Sequence, residues 1–253
     1  MANDTVLQHI NNVIRTESDV DFTLEHLQVL AKSDSIPEVD ENATITLKGE
    51  VEKLGEKEIG GHTSRLGLAI TEDGETYNRQ PEPIFFPTND NQKEFEWTGG
   101  TEDPRIVQTE DGLYLLTYTQ WNREFPRLAV ATSKDLKTWE KHGPIFREFK
   151  EGKYHNRETK SGAIVTELKK GKLVAAKIHG KYWMYFGVPH IWLASSEDLV
   201  HWEPIEGSDG NIAPVLSPRL GYFDSWLVEA GPPPVLTKDG IVVLYNAGNQ
   251  KDI

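Results

Sequence analysis

Three segments of this chain repeat one another, and the repeat constrains the fold more than any other feature. Arg65-Leu-Gly-Leu-Ala69-Ile-Thr-Glu-Asp73 is echoed by Arg127-Leu-Ala-Val-Ala131-Thr-Ser-Lys-Asp135 and by Ile191-Trp-Leu-Ala194-Ser-Ser-Glu-Asp198. The aligned alanines, Ala69, Ala131 and Ala194, are spaced 62 and 63 residues apart, and an aromatic residue follows each by eight positions: Tyr77, Trp139 and Trp202. A second element interleaves with the first. Gly112-Leu-Tyr-Leu-Leu-Thr-Tyr118, Gly180-Lys-Tyr-Trp-Met-Tyr185 and Gly240-Ile-Val-Val-Leu-Tyr245 each set a turn glycine before a run expected to be a strand ending in tyrosine.

Short apolar runs broken by Gly, Pro, Asn and Asp, such as Ile84-Phe86, Leu113-Tyr118, Leu128-Ala131 and Ile241-Tyr245, predict strands rather than helices. Several short strands in a unit of that length describe a propeller blade, so the expected class is an all-β propeller. In each repeat the aspartate is placed to close a turn on its own backbone, and in the second and third copies the tryptophan, eight residues after the aligned alanine, to pack between neighbouring blades. At this period 253 residues make about four blades. Residues 20 to 55 show no repeat match and the chain stops at Ile253, which predicts an incomplete ring whose open edges favour self-association as a homo-oligomer. Val6, Ile10, Val13 and Ile14 fall at helical spacing, so residues 1–42 are expected to form a helical and irregular segment ahead of a propeller domain at 43–253.

Composition removes several function classes. The chain carries 27 basic and 40 acidic side chains, a formal charge of −13, which disfavours nucleic acid and anionic membrane as partners. No window approaches the roughly 20 apolar residues of a membrane helix. The opening residues lack a secretory pattern, so the expected location is cytoplasmic, with a trimmed periplasmic protein as the alternative. There is no cysteine, which excludes disulfides, thiolate metal sites and a cysteine nucleophile. The eight histidines show no ligand spacing, and no metal or cofactor is expected.

Two segments hold residues suited to sugar chemistry. In Gly99-Gly100-Thr101-Glu102-Asp103-Pro104-Arg105 the proline is expected to hold Asp103 in extended backbone, fixing the direction of its carboxylate. The bland alternative is an Asp-Pro turn with a local Glu102–Arg105 pair. Tyr118-Thr119-Gln120-Trp121-Asn122-Arg123 offers an indole to stack on a pyranose and polar groups, Asn122 among them, for its hydroxyls. Packing between blades is the competing role for Trp121.

Taken in order, Gly61-His-Thr-Ser-Arg65-Leu-Gly-Leu-Ala69, Gly100-Thr-Glu-Asp-Pro-Arg-Ile106, Ala131-Thr-Ser-Lys-Asp135, Lys160-Ser-Gly162 and Glu229-Ala-Gly-Pro-Pro233 resemble glycoside hydrolase family 130 over roughly residues 58 to 249. The resemblance implies a five-bladed β-propeller acting on β-mannosides, with a mannose-containing oligosaccharide as partner. It implies that Asp103 is the catalytic acid and that Arg65 contacts the sugar. It further implies a choice of nucleophile. Phosphorylases of the family use inorganic phosphate as co-substrate, and commonly read His-Arg-Pro and Tyr-His where this chain has Tyr185-Phe-Gly187 and Tyr245-Asn246. Losing two charge-assisted partners at about 1.5–3 kcal/mol each weakens a phosphate site. The hydrolytic branch, resembling β-1,2-mannosidases, carries a glutamate where Glu229 stands.

The expected activity is therefore inverting hydrolysis of β-mannosidic linkages, with Asp103 as acid, Glu229 as base and their carboxyls roughly 6.5–9.5 Å apart. Lys160 and Arg127, as elements of an anion site, favour the phosphorylase alternative. Asp224 flanks the Glu229 segment as a substrate-positioning candidate. The family's usual Leu-Tyr-Arg-Ala strand is replaced here by Leu47-Lys-Gly49, and the hydrolytic branch's second, more C-terminal glutamate falls after Ile253. Those departures keep a third alternative open, an inactive or glycan-binding propeller fragment.

Overall fold

The computed structural model describes residues 63–249, so the predicted N-terminal helix, the Thr44–Gly55 segment, Gly61 and His62 lie outside the described residues. Within 63–249 the chain is all-β apart from a single helical turn, Lys93–Glu96. Four strands, Gly100–Gln108, Tyr114–Trp121, Pro126–Ser133 and Glu140–Pro144, form an antiparallel meander in sequence order. A second meander runs through Lys177–Ile178, Lys181–Phe186, Ile191–Ser196 and Glu203–Pro204, with Ala163–Ile164 also paired to Lys181–Phe186. A third group pairs Leu227–Ala230 with Tyr245–Gly248 and Val235–Thr237 with Gly240–Val242.

A hairpin of Thr166–Lys169 and Lys172–Ala175 lies between the first meander and the Val235–Thr237 strand, meeting each by a short parallel contact, at Gln108↔Val174 and at Val235↔Thr166. Among the described residues the sheets do not close into a ring. The run from Gly240 to Tyr245, expected as one strand, divides after Val242, and its two halves take different partners. Ile84-Phe86 is not a strand either: Phe85 makes an isolated bridge with Leu66.

Both faces of the two central strands of the first meander are buried, as their uninterrupted apolar stretches require. Val107, Leu115, Leu128 and Val130 face Met184, Phe186 and Trp202 of the second meander. Leu116, Tyr118, Ala129 and Ala131 face Phe85, with Leu66 and Trp139 against them. A third cluster joins Ala163 and Ile191 of the second meander to Val228 and Ala230 of the third group.

The repeated turn forms as its residue types dictate. Asp135 Oδ1 accepts the backbone N–H groups of Lys137 (2.8 Å) and Thr138 (2.7 Å), and Asp198 Oδ1 those of Val200 (2.9 Å) and His201 (2.8 Å). Asp73 does the same with Glu75 and Thr76. These backbone donors, Thr138 first, hold the Asp135 carboxyl down at about 2. The indole N–H of Trp139 returns to Leu136 O and that of Trp202 to Leu199 O. Trp202 is 2% exposed, at the seam between the first two meanders, whereas Tyr77, its counterpart in the first copy, is 58% exposed.

Candidate active site

The first and second strands of the first meander pair in register except between Glu102 and Arg105, where Gly100–Gln108 carries one residue more than Tyr114–Trp121. Such a bulge re-aims a side chain and frees a position from the ladder. Pro104 suits it because a bulge can spare the N–H that proline lacks. Asp103 adopts φ +49°, a left-handed backbone, and not the extended one expected ahead of proline; the bulge overrides the local preference. Its carboxylate is exposed and accepts a hydrogen bond from the Thr119 hydroxyl at 3.3 Å. Glu102 turns elsewhere and accepts from Ser64 Oγ at 3.1 Å, so the local Glu102–Arg105 pair does not form.

Arg105 instead crosses to the Leu227–Ala230 strand. Its Nε donates to Gly231 O (2.7 Å), Nη2 to Ala230 O (2.7 Å), and Nη1 back to Asp103 O (3.0 Å). Burial pulls its pKa down, opposed by the negative charges of Asp103 and Glu229. Both candidate carboxylates thus lie within electrostatic reach of one guanidinium.

Glu229 sits opposite Asn246 on the Leu227–Ala230 and Tyr245–Gly248 pair. Ser161 Oγ donates to its Oε1 at 2.5 Å, and Lys160 Nζ lies 3.4 Å from the same oxygen. Burial pushes the Glu229 carboxyl up, but Ser161, the Lys160 charge and Asn246 outweigh it and hold the group below its ordinary range. Ser161 is fully buried at φ +58°, a conformation costly for a residue with a Cβ.

The remaining expected site residues take varied places. Arg65 lies over the Phe86 ring at 5.5 Å, next to the Ser64↔Gly100 bridge that opens the Asp103 strand. Trp121 pairs with Gly100 and is half-buried, with one edge against Gly99, where a Cβ would lie 2.1 Å from the indole. That contact, and the 2.3 Å approach of a Gly100 Cβ to Ser64, account for the paired glycines. Asn122 spends its carbonyl on the N–H groups of Glu124 (3.1 Å) and Phe125 (2.9 Å), closing the hairpin turn, and its amide donates to Glu94 O. Arg127 is stacked on Phe95 (5.0 Å) and Phe125 (4.6 Å), and burial lowers its pKa against the charge of Glu94. Asp224 is buried, with Arg219 Nε at 2.9 Å and the Tyr245 hydroxyl at 3.0 Å, which ties it to the strand bearing Asn246.

Asp103, Arg105, Ser161, Lys160, Glu229 and Asn246 therefore form one connected group. Arg105, Ser161 and Asn246 enter it without having been anticipated as site residues. Ser161 lies inside the Lys160-Ser-Gly162 motif, and Asn246 stands where the family's phosphorylases commonly carry histidine. Tyr185, at the position of the family's histidine, is half-buried against Ala163, Val228 and Ala230. Among the described residues no three His, Asp or Glu side chains gather as a metal-ligand set.

A family model described as glycoside hydrolase family 130, β-1,4-mannooligosaccharide phosphorylase, matches residues 57–253. A 1,2-β-oligomannan phosphorylase of Thermoanaerobacter sp. (strain X514) is 33% identical over 197 residues, covering 77% of this chain and 56% of that protein. A solved glycosyl hydrolase from Bacteroides ovatus is 55% identical with a TM-score of 0.73, covering 75% of this chain and 53% of its own. Another structure is 52% identical with a TM-score of 0.75, covering 78% of this chain and 55% of its own. It is described under the statement that the family of mannoside phosphorylases contains glycoside hydrolases that target β-1,2-mannosidic linkages in Candida mannan. The chain spans about half the length of the relatives it matches.

Proposed function

The chain belongs to glycoside hydrolase family 130, and from that premise we propose that it hydrolyses β-1,2-mannosidic linkages with inversion, on a five-bladed β-propeller. The meanders described above are consecutive blades in this reading. Asp103, protonated, donates to the departing glycosidic oxygen, directly or through a sugar hydroxyl. Glu229 takes a proton from water as its oxygen attacks the anomeric carbon from the opposite face, so one C–O bond forms as the other breaks. Arg65 and Trp121, near the start of the Asp103 strand, are suited to hold the mannose ring.

The observation that carries hydrolysis is the placement of Glu229, a half-buried carboxylate bonded to Ser161 at 2.5 Å with Lys160 at 3.4 Å, on the strand that Arg105 ties to Asp103. Those partners favour its ionised form, which can accept a proton from water and repels a phosphate dianion from the same place. Lys160, the nearest cation, is already engaged with that carboxylate at 3.4 Å. The 52% identity to a structure whose description names β-1,2-mannoside hydrolases points the same way.

Phosphorolysis is the second reading, supported by the 33% identical oligomannan phosphorylase and by Arg127 and Lys160. Product analysis from β-1,2- and β-1,4-mannobiose, with and without phosphate, separates the two. Equal release of free mannose in both conditions is expected. Mannose 1-phosphate formed only with phosphate overturns hydrolysis.

A further inference from the structure

We propose that Arg105 is a positioning residue that sets the separation of Asp103 from Glu229, an inference that rests on the catalytic roles just proposed for those two groups. Asp103 stands on a bulge whose left-handed backbone is not held by ladder hydrogen bonds on both sides. Glu229 stands on a four-residue strand, Leu227–Ala230, whose last bond to the partner side is Gly231 N–H to Leu244 O at 3.2 Å. The two segments are more than 120 residues apart in the chain, and the Arg105 guanidinium joins them through three backbone carbonyls: Asp103 at 3.0 Å, Ala230 at 2.7 Å and Gly231 at 2.7 Å. A planar fork reaches adjacent carbonyls from Nε and Nη2 while Nη1 faces the opposite way. A lysine ammonium, a single point of charge, cannot span the same three acceptors. Inverting hydrolysis depends on the gap between acid and base, because the attacking water must fit between base and sugar. A displacement of about 1 Å at such a site costs about 100-fold in rate.

The test is the full chain carrying Arg105→Lys, with Arg105→Ala beside it, assayed on β-1,2-mannobiose and compared crystallographically with the unmodified protein. In R105K the expected result is a loss of kcat of about 10- to 100-fold, with KM held within about threefold. The Asp103 carbonyl should draw away from those of Ala230 and Gly231. Millimolar guanidinium should restore part of the kcat of R105A by occupying the vacated fork. Unchanged kcat in R105K, or unmoved carbonyls, overturns the proposal. A joint fall in kcat, substrate affinity and thermal midpoint without guanidinium rescue also overturns it, since that describes general loss of packing. Asp103→Asn separates the two levels. Full activity in that variant refutes the catalytic assignment, while the carbonyl positions in R105K still decide whether Arg105 sets the spacing.

Discussion

Glu96 and Glu229 each have a lysine and a hydroxyl at hand, yet their carboxyls are pushed in opposite directions. Glu96, on the one helical turn, is 0% exposed, with Lys141 Nζ at 2.5 Å, the Tyr118 hydroxyl at 2.9 Å and the Gln120 amide at 3.2 Å. Burial dominates, and its pKa is raised despite those partners. Glu229 has a more distant lysine, at 3.4 Å, but its side chain is 20% exposed, and its partners outweigh desolvation. Proximity of a cation does not decide the state of a buried acid; the water removed from it does. The first arrangement locks the loop before the Asp103 strand to the meander, whereas the second leaves an ionised carboxylate facing a reachable space.

Exchanging each glutamate for glutamine is the largest test of that contrast. Glu229→Gln is expected to lower kcat/KM about 10³-fold while changing unfolding free energy by less than about 1 kcal/mol. Glu96→Gln should leave the rate within about tenfold, the scale of a small indirect displacement. Steady-state kinetics beside urea unfolding reads both, and a reversed pattern breaks the comparison.

Lys141→Met probes the buried member. Removing one partner of a buried pair costs about 3–5 kcal/mol. The sign with pH follows from the raised pKa of Glu96. Below its unfolded value of 4.5 the group is protonated in both states and carries no penalty; above its folded value the penalty is full. The loss in K141M is therefore expected to be larger at pH 7 than near pH 4, as urea midpoints at both pH values will show. A pH-independent loss refutes an ionic origin.

Ser161→Ala, which removes the 2.5 Å hydrogen bond to Glu229, is expected to cost about tenfold in kcat, in keeping with a hydrogen bond to a charged group. Lys160→Met has the smallest effect. Because Lys160 helps hold Glu229 ionised, the acid limb of the kcat/KM profile should lie below pH 4.5 in the unmodified enzyme and move upward in the variant. An unmoved limb would mean that another group sets it.

Much of the local structure was legible. The 62-residue repeat announced the meanders, and each repeated aspartate closes its turn as its residue type requires. Of the motif residues, Lys160 and Glu229 meet directly, at 3.4 Å, while Asp103 is joined to the Glu229 strand only through Arg105. Tyr77, Trp139 and Trp202 occupy equivalent positions in the repeat, but exposure distinguishes them, because packing depends on what lies across the seam. Proline misled the reading of Asp103, since its local preference for extended backbone yields to a bulge. Asn122, read from sequence as a sugar ligand, also has a local role that only the structure shows, as the acceptor of its own hairpin turn.

What the amino-acid order determined by itself is what residues close in the chain settle among themselves: strand periodicity and turn closure over two or three positions. The hydrogen bonds that Asp135 accepts from the backbone N–H groups of Lys137 and Thr138 need no distant partner. Only the tertiary structure decided the rest. Arg105 meets Ala230 and Gly231 across 125 and 126 residues, and Glu96 meets Lys141 across 45. The charge state of each glutamate follows from how much water those encounters exclude, a quantity set by the packing of separate meanders and by no neighbour in sequence.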